Sequence, residues 1–166
     1  MNNFSIVIPI FNEAENIEVL FSEIIISLKK IKDYEIIFVD DNSTDNSYKY
    51  LKEVEKHSFV KIIKHKNQLG QSHALLSGIK LANYKTIITC DGDGQNVPAD
   101  ILKLLDVYHK NPNTLLVGGL RTERHDSIIK KISSKIANGF RSYILKDMCS
   151  DTGCGLKVFS KEIFLK

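Results

Sequence analysis

Two carboxylates separated by one small residue form the most informative local pattern in this sequence. Asp91-Gly92-Asp93 directly follows the apolar run Lys85 to Cys90, so both acids lie at the end of a predicted buried strand. Carboxylates spaced in this way can turn toward one point, and hard oxygen ligands suit Mg²⁺ or Mn²⁺ better than zinc. A divalent ion held there could bridge a diphosphate and stabilise the charge that builds on a departing phosphate. The alternative is a turn in which Asp and Gly only supply loop geometry.

Two other readings of this stretch fit the sequence less well. An EF-hand loop that began at Asp91 would need Gly at its sixth position and Glu at its twelfth, where the chain has Asn96 and Leu102. A haloacid-dehalogenase-type phosphatase also resembles DxDG, but that motif normally follows the first strand, whereas here it follows the fourth. Both alternatives are therefore disfavoured.

A second acidic pair, Asp40-Asp41, follows the second predicted strand. Its carboxylates could accept hydrogen bonds from a nucleobase or a ribose, or one of them could cap a helix that begins near Ser43. The first strand continues into PIFNEAEN, which has no glycine where a dinucleotide-binding protein would carry G-x-G-x-x-G. A hydride-transfer enzyme of that type is disfavoured.

The elements that position these acids are predicted from hydrophobic spacing. Short apolar runs rich in β-branched residues predict strands at Phe4 to Ile10, Glu35 to Val39, Val60 to Ile63, Lys85 to Cys90 and Thr114 to Val117. Helical spacing separates them, at about 17–28, 48–54, 74–82 and 101–108, and a fifth helix is expected from about Ser127 to Leu145. This alternation predicts an α/β domain with a mostly parallel sheet and helices on both faces.

Capping patterns give the expected helix starts. Asn12, with Glu15 in capping-box spacing, is expected to cap the first helix, Ser43 or Thr44 the second, and Pro98 suits the first turn of the fourth. The final segment, GLKVFSKEIFLK, predicts a strand followed by the first turn of another element. Because a domain rarely stops there, we expect the chain to be part of a longer protein.

Composition narrows the class of protein. The chain has 166 residues, of which 43% are hydrophobic, so one domain with a substantial core is expected. A formal net charge of +3 is too small to favour a nucleic-acid-binding protein. Three cysteines without CxxC spacing, no secretory leader and no apolar stretch of roughly 18 residues lead us to expect a soluble or peripheral protein of the cytoplasm.

Some residue types in the chain are predicted to be structural. The five histidines are scattered without paired metal spacing, which favours surface or packing roles; they are His57, His65, His73, His109 and His125. Gly70 and Gly78 are expected to relieve backbone or packing constraints.

Five segments of the chain resemble those of one enzyme family. They are SIVIPIFNEAENI, EIIFVDDNSTDNS, HKNQLGQSHALLSGI, ITCDGDGQNVPADI and DTGCGLKVFSKEIF, in that order. They are similar to the family 2 glycosyltransferases with a GT-A fold, above all to the dolichyl- and undecaprenyl-phosphate sugar transferases of the dolichol-phosphate mannose synthase group. The resemblance implies a Rossmann-like single domain over 1–166, with a nucleotide-sugar donor half at 1–120 and the start of an acceptor half at 121–166.

The resemblance also implies roles for the residues at the strand ends. In this family the segment after the first strand lines the nucleotide pocket, and the second acid after the second strand holds the base. The implied donor-binding residues are Pro9, Phe11, Glu13, Val39, Asp41, Asp91, Gly92, Asp93 and Gln95. Asp91, Asp93 and Gln95 correspond to the family's DxDxQ site for Mg²⁺ or Mn²⁺, and Asp93 counts as catalytic.

Acceptor residues are implied in the last third of the chain. Arg121 stands where the polyprenyl-phosphate enzymes carry a catalytic arginine for phosphate, and Lys130 and Ser134 align with acceptor-phosphate ligands. Lys130 replaces a common arginine, so a bidentate contact is lost. Asp151 is counted with the catalytic residues and is given a positioning or substrate-binding role, because an acceptor phosphate is already anionic; alternatively, it caps a turn before Gly153. Without the resemblance, these basic residues are more simply explained as a solvated face.

The sequence thus predicts an inverting, metal-dependent transfer of sugar from a UDP- or GDP-linked donor to polyprenyl phosphate. The expected location is the cytoplasmic face of a membrane, contacted through a part that follows Lys166. Two alternatives stay open: transfer to a saccharide or protein acceptor, and a nucleotide-sugar-binding module without turnover.

Overall fold

The computed structural model describes residues 3–120 and 153–166. In these residues the strands are β1 Phe4–Ile10, β2 Tyr34–Asp40, β3 Val60–Lys64, β4 Thr86–Thr89, β5 Leu116–Gly118 and β6 Lys157–Ser160. The helices are α1 Ile17–Ser27, α2 Ser47–Val54, α3 Gln71–Leu81, α4 Ile101–Lys110 and α5 Lys161–Phe164, with a 3₁₀ turn at Pro98–Asp100 before α4. The predicted fifth helix, Ser127 to Leu145, lies outside the described residues.

The described strands form one sheet in the order β3-β2-β1-β4-β6-β5. Strands β1 to β4 run parallel, whereas β6 is antiparallel to both of its neighbours, β4 and β5. The mostly parallel α/β sheet is therefore confirmed. The carboxyl ends of β1, β2 and β4 meet at one edge, where the sequence places its acids.

Helices cover both faces of the sheet, which explains why the strands read as continuous apolar runs. Every residue of β1 is buried. Ile6 and Ile8 face a core shared with α1, α2 and α4, while Val7 faces a second core shared with α3. Gly78 lets α3 approach the sheet, because a Cβ atom there would lie 2.4 Å from Cγ1 of Val7.

A buried polar network lies at the opposite edge of the sheet from the acids. The Glu35 carboxylate accepts hydrogen bonds from Ser5 Oγ at 2.7 Å and from the Asn83 amide nitrogen at 2.6 Å, and it pairs with Lys61 Nζ at 2.7 Å. Burial opposes the charged form of Glu35, but these partners outweigh burial and lower its pKa. The network ties the end of α3 to β1, β2 and β3 and is structural.

The predicted caps of the first two helices are wrong. Helix α1 begins at Ile17 after Asn16, and α2 begins at Ser47 after Asn46, and in neither case does the capping side chain bond to the helix. Asn12, Ser43 and Thr44 instead join the two turns that precede these helices. Local spacing resembled a cap because Asn, Ser and Thr favour turns as well as helix starts.

The predictions for the start of α4 and for the last residues of the chain are confirmed. Pro98 opens the 3₁₀ turn that leads into α4, and the last residues form β6 followed by the short helix α5. Lys161 donates from Nζ to the carbonyl oxygens of Lys80 and Ala82, at 3.0 and 2.6 Å, where α3 ends. None of the helices in the described part of the chain is both long enough and apolar enough to cross a membrane.

Candidate functional site

A cleft of about 380 Å³ opens at the carboxyl ends of β1, β2 and β4. This is the edge at which parallel α/β sheets bind their ligands. Its walls come from the three strand ends and from the beginning of α3. The lining residues are Pro9, Ile10, Phe11, Glu13, Asp41, Gln68, Gly70, Gln71, Ala74, Asp91, Gly92 and Asp93.

One wall of the cleft is built by two turns that are bonded to each other. The Asn12 amide nitrogen donates to Ser43 Oγ at 3.1 Å, and Asn12 Oδ1 accepts from the Thr44 amide nitrogen at 2.8 Å. The Glu13 amide nitrogen donates to Ser47 Oγ at 2.8 Å. Asn12 has a φ of 57°, a left-handed conformation that asparagine tolerates. These long-range bonds fix the strand-to-helix turns that carry Phe11 and Glu13.

The acidic pair at the end of β2 divides into a structural and a cleft-facing residue. Asp40 is fully buried, and its Oδ1 accepts from the Ser43 amide nitrogen at 2.9 Å. Its Oδ2 lies 3.8 Å from Lys64 Nζ. Asp41 instead lines the cleft. Asp40 therefore supports the turn, whereas Asp41 contributes to the lining of the cleft.

Asp41 is held by the loop that leads into α3. Its Oδ1 lies 2.6 Å from His65 Nδ1, and its carboxylate accepts from the amide nitrogens of Leu69 at 2.9 Å and Gly70 at 2.6 Å. Burial opposes the charged form, but these bonds outweigh burial and lower the pKa of Asp41. The second ring nitrogen, His65 Nε2, lies 2.9 Å from Ser77 Oγ.

The sequence places His65 at the carboxyl end of the third strand but favours a packing or surface role for it, and the structure shows a more specific use. Its ring bridges a cleft carboxylate and a hydroxyl of α3. Its position directly after β3 was a usable signal, since that is where ligand-binding edges place polar groups. The loop also contributes cleft residues that the sequence analysis missed, namely Gln68 and Gln71.

Asp91 and Asp93 line the same cleft. Oδ1 of Asp91 accepts from Gln71 Nε2 at 2.9 Å, and the Asp91 amide nitrogen donates to Asn96 Oδ1 at 3.2 Å. Oδ1 of Asp93 accepts from the backbone nitrogen of Gln95 at 3.0 Å. The strand end and the turn therefore hold both acids at the opening of the cleft.

The donor set of this turn fits a hard divalent cation in part. Two carboxylates on one cleft wall are ligands that Mg²⁺ and Mn²⁺ prefer. Within residues 3–120 and 153–166, no group of three or more His, Cys, Asp or Glu side chains is arranged to hold a metal ion. A cation bound by Asp91 and Asp93 would therefore take its remaining ligands from a substrate or from water, as Mg²⁺ does at many phosphate sites.

Gly92 is required by close packing. A Cβ atom at Gly92 would lie 2.6 Å from Ile10 Cδ1 and 2.9 Å from the Pro9 carbonyl oxygen. The turn between the two acids thus rests directly on the end of β1. Beneath it, burial is the main cause that raises the pKa of the Cys90 thiol to about 12, so this side chain stays protonated and apolar at neutral pH.

Most of the residues predicted to bind the nucleotide-sugar donor lie together in the structure. Those that line the cleft are Pro9, Phe11, Glu13, Asp41, Asp91, Gly92 and Asp93. Two predicted residues are not in the cleft lining. Val39 is fully buried in the core under α3, and Gln95 is exposed, with its backbone N–H donating to Asp93. Arg121, Lys130, Ser134 and Asp151 lie outside the described residues.

The fold and this cleft define the class of protein, and comparison with known proteins gives the family. The domain is an α/β domain of the GT-A type, with a ligand cleft at the carboxyl edge of a mostly parallel sheet. Residues 5–165 match the sequence model of glycosyl transferase family 2. The chain therefore belongs to this family.

Relatives and solved structures agree with this assignment. The chain is 35% identical over 167 residues to the undecaprenyl-phosphate 4-deoxy-4-formamido-L-arabinose transferase of Proteus mirabilis, with 98% of the chain and 50% of that protein covered. It spans about half the length of the curated relatives that it matches.

Two solved structures share the fold at low sequence identity. One is a mannosyltransferase from Pyrobaculum calidifontis in complex with GDP-Man and Mn²⁺, with a TM-score of 0.63, 22% identity and coverage of 72% of this chain and 35% of that one. The other is glucosyl-3-phosphoglycerate synthase from Mycobacterium tuberculosis in complex with Mn²⁺, UDP and glucosyl-3-phosphoglycerate. Its TM-score is 0.71, with 16% identity and coverage of 98% and 58%.

Proposed function

We propose that the protein containing this chain transfers a sugar from a UDP- or GDP-linked donor to a polyprenyl phosphate, with Mg²⁺ or Mn²⁺ bound at Asp91 and Asp93. The reaction takes place at the cytoplasmic face of a membrane. The observation that carries the proposal is the meeting of three aspartate carboxylates, Asp41, Asp91 and Asp93, in one cleft at the carboxyl edge of the sheet. The Proteus mirabilis relative supports the acceptor, since its name specifies undecaprenyl phosphate.

The nucleoside part of the donor lies between the ends of β1 and β2. Phe11 lines the cleft with a side chain that is 39% exposed, so its ring is available to pack against a base. Asp41 stays ionised because its pKa is lowered, and it accepts a hydrogen bond from the base or ribose. Glu13 completes this wall, and Asn16 Nδ2 donates to its Oε2 at 2.6 Å.

The diphosphate of the donor lies toward the turn that contains Asp91 and Asp93. A divalent cation bound there supplies positive charge that offsets the charge developing on the leaving diphosphate. The Gln71 side chain orients the Asp91 carboxylate, and the backbone N–H of Gln95 does the same for Asp93. Both acids are thus fixed before the donor binds, and such preorganisation favours stabilisation of the transition state.

The acceptor is a phosphate oxygen that attacks the anomeric carbon in a single inverting displacement. This oxygen is already anionic at neutral pH, so it needs positioning rather than a general base. We assign that positioning to Arg121, Lys130 and Ser134, because the resemblance aligns them with the acceptor-phosphate residues of the family. Asp151 is assigned a positioning or substrate-binding role in the same reaction.

The test is a transfer assay with the full-length protein, Mn²⁺ and a panel of UDP- and GDP-sugars, with undecaprenyl phosphate and a saccharide as separate acceptors. Asp93→Asn is expected to lower kcat/KM about 100-fold or more, since loss of a metal ligand removes several kcal/mol of charge stabilisation. Asp106→Asn is the matched control, because Asp106 lies on α4 and pairs with Lys110 at 2.7 Å. Full transfer by Asp93→Asn, or transfer to the saccharide alone, would refute the proposal.

A further inference from the structure

The Asp91 carboxylate lies directly against the backbone of Gly155. A Cβ atom on Gly155 would lie 2.0 Å from Asp91 Oδ2 and 2.1 Å from its Cγ. Non-bonded heavy atoms do not approach this closely, so a side chain at position 155 would overlap the carboxylate unless the carboxylate moved. The space that Asp91 occupies exists because residue 155 has no side chain.

Glycine at this position is needed for space rather than for backbone conformation. The glycines with φ in the left-handed region, among the described residues, are Gly70 and Gly94. Gly155 is not one of them, so alanine could adopt its backbone conformation without strain. The cost of a methyl group at Gly155 therefore falls on its neighbour, and that neighbour is the end of the Asp91 side chain.

The backbone at Gly155 is itself held in place. Thr89 Oγ1 donates to the Gly155 carbonyl oxygen at 2.7 Å, and two residues later Lys157 pairs with Thr89 where β6 joins β4. From the side of α3, Gln71 Nε2 donates to Asp91 Oδ1 at 2.9 Å. Asp91 is thus held between two elements, the entry to β6 and the first turn of α3.

We propose that Gly155 is a positioning residue for metal and diphosphate binding, acting through Asp91 together with Gln71 and Thr89. This inference rests on the proposed function, since it takes Asp91 to be a ligand of the divalent cation. It means that the segment leading into β6, which follows the expected acceptor-binding stretch in sequence, also sets the geometry of the donor cleft. A displacement of this segment would move a carboxylate of the cation site.

The test compares Gly155→Ala with Gly118→Ala in the full-length protein. Gly118 is a matched control because it lies on neighbouring β5 and a Cβ atom there would approach no neighbour closer than 3.9 Å. Binding of UDP and GDP is measured by calorimetry in Mn²⁺ and in EDTA. We expect Gly155→Ala to weaken Mn²⁺-dependent binding about 10- to 100-fold, the range typical when support of a metal ligand is lost. Gly118→Ala should bind like the wild type.

A structural defect is separated from a positioning defect by a double-mutant cycle. If Gly155 acts through Asp91, then adding Gly155→Ala to Asp91→Asn should cause no further loss of Mn²⁺-dependent affinity. An equal loss in both backgrounds would overturn the inference, and so would wild-type affinity in Gly155→Ala alone.

A crystal structure of Gly155→Ala tests the positioning without relying on binding. The Asp91 carboxylate should rotate away from residue 155 while β6 keeps its pairing with β4. A carboxylate that stays in place would overturn the inference even if Mn²⁺-dependent binding were weaker in the variant. Absence of Mn²⁺-dependent binding in the wild type would refute the proposed function and, with it, the role of Gly155 in metal binding. A displaced carboxylate in the variant would then show only that Gly155 positions the Asp91 side chain.

Discussion

Replacing His65 with alanine should weaken the loop that holds Asp41 in the cleft. The imidazole has two partners, Asp41 Oδ1 at 2.6 Å and Ser77 Oγ at 2.9 Å, and the side chain is only 9% exposed. Alanine removes both contacts. The Asp41 carboxylate keeps the backbone N–H donors of Leu69 and Gly70, so its attachment to the loop is weakened but it is not left without hydrogen-bond partners.

The magnitude follows from the bonds that are lost. A hydrogen bond to a charged group contributes about 1.5–3 kcal/mol, and a neutral one about 0.5–1.5 kcal/mol. His65→Ala should therefore lower the free energy of unfolding by about 2–4 kcal/mol, since both bonds disappear together. Ser77→Ala removes only the outer bond and should cost about 0.5–1.5 kcal/mol.

Urea unfolding at pH 7, followed by circular dichroism, measures these differences, and His73→Ala is the control. His73 is exposed in the first turn of α3, so the same change there should stay within about 0.5 kcal/mol. The expected order of destabilisation is His65, then Ser77, then His73. If His65→Ala is as stable as His73→Ala, the bridge between Asp41 and α3 does not hold the loop.

Two further perturbations test the cleft wall and the sheet packing. Asp41→Asn should destabilise the protein at pH 7, and the difference from the wild type should shrink on acidification. The reason is that a lowered carboxyl pKa adds stability above about pH 4 that is lost as the pH falls through the folded-state pKa; a constant difference in unfolding scans down to pH 3 would contradict this. Gly78→Ala should lower the free energy of unfolding by about 1–3 kcal/mol, because the new methyl group would overlap the buried side chain of Val7. The higher helix propensity of alanine should offset about 1 kcal/mol of this loss. Thermal unfolding measures this change against Ser72→Ala on the exposed face of α3, and equal stability of the two variants would show that α3 can move away from the sheet.

The strands could be predicted closely from sequence because burial on both faces leaves a continuous apolar record. The predicted run Phe4 to Ile10 coincides with β1, and the acids after β2 and β4 do meet at one edge. Strand order left no such record. The insertion of antiparallel β6 between β4 and β5 depends on long-range pairing that no local spacing encodes.

The details of the cleft depended on contacts between residues far apart in the chain. Asn12 is of a residue type that commonly caps helices, yet its hydrogen-bond partners Ser43 and Thr44 lie more than 30 residues away in sequence. His65 looked like an isolated histidine because Asp41 is 24 residues distant. The contact between Gly155 and Asp91 could not be predicted from sequence, since the space that a missing side chain leaves is apparent only in the folded chain.

Asp91 and Asp93 are proposed to bind nucleotide through a shared divalent cation. Calorimetric titration of UDP and GDP into the full-length protein, in Mn²⁺ and again in EDTA, tests this binding mode. One of the two nucleotides should bind in Mn²⁺, lose that affinity in EDTA, and fail to bind Asp93→Asn while still binding Asp106→Asn. Affinity that is unchanged by chelation and by Asp93→Asn would contradict the account.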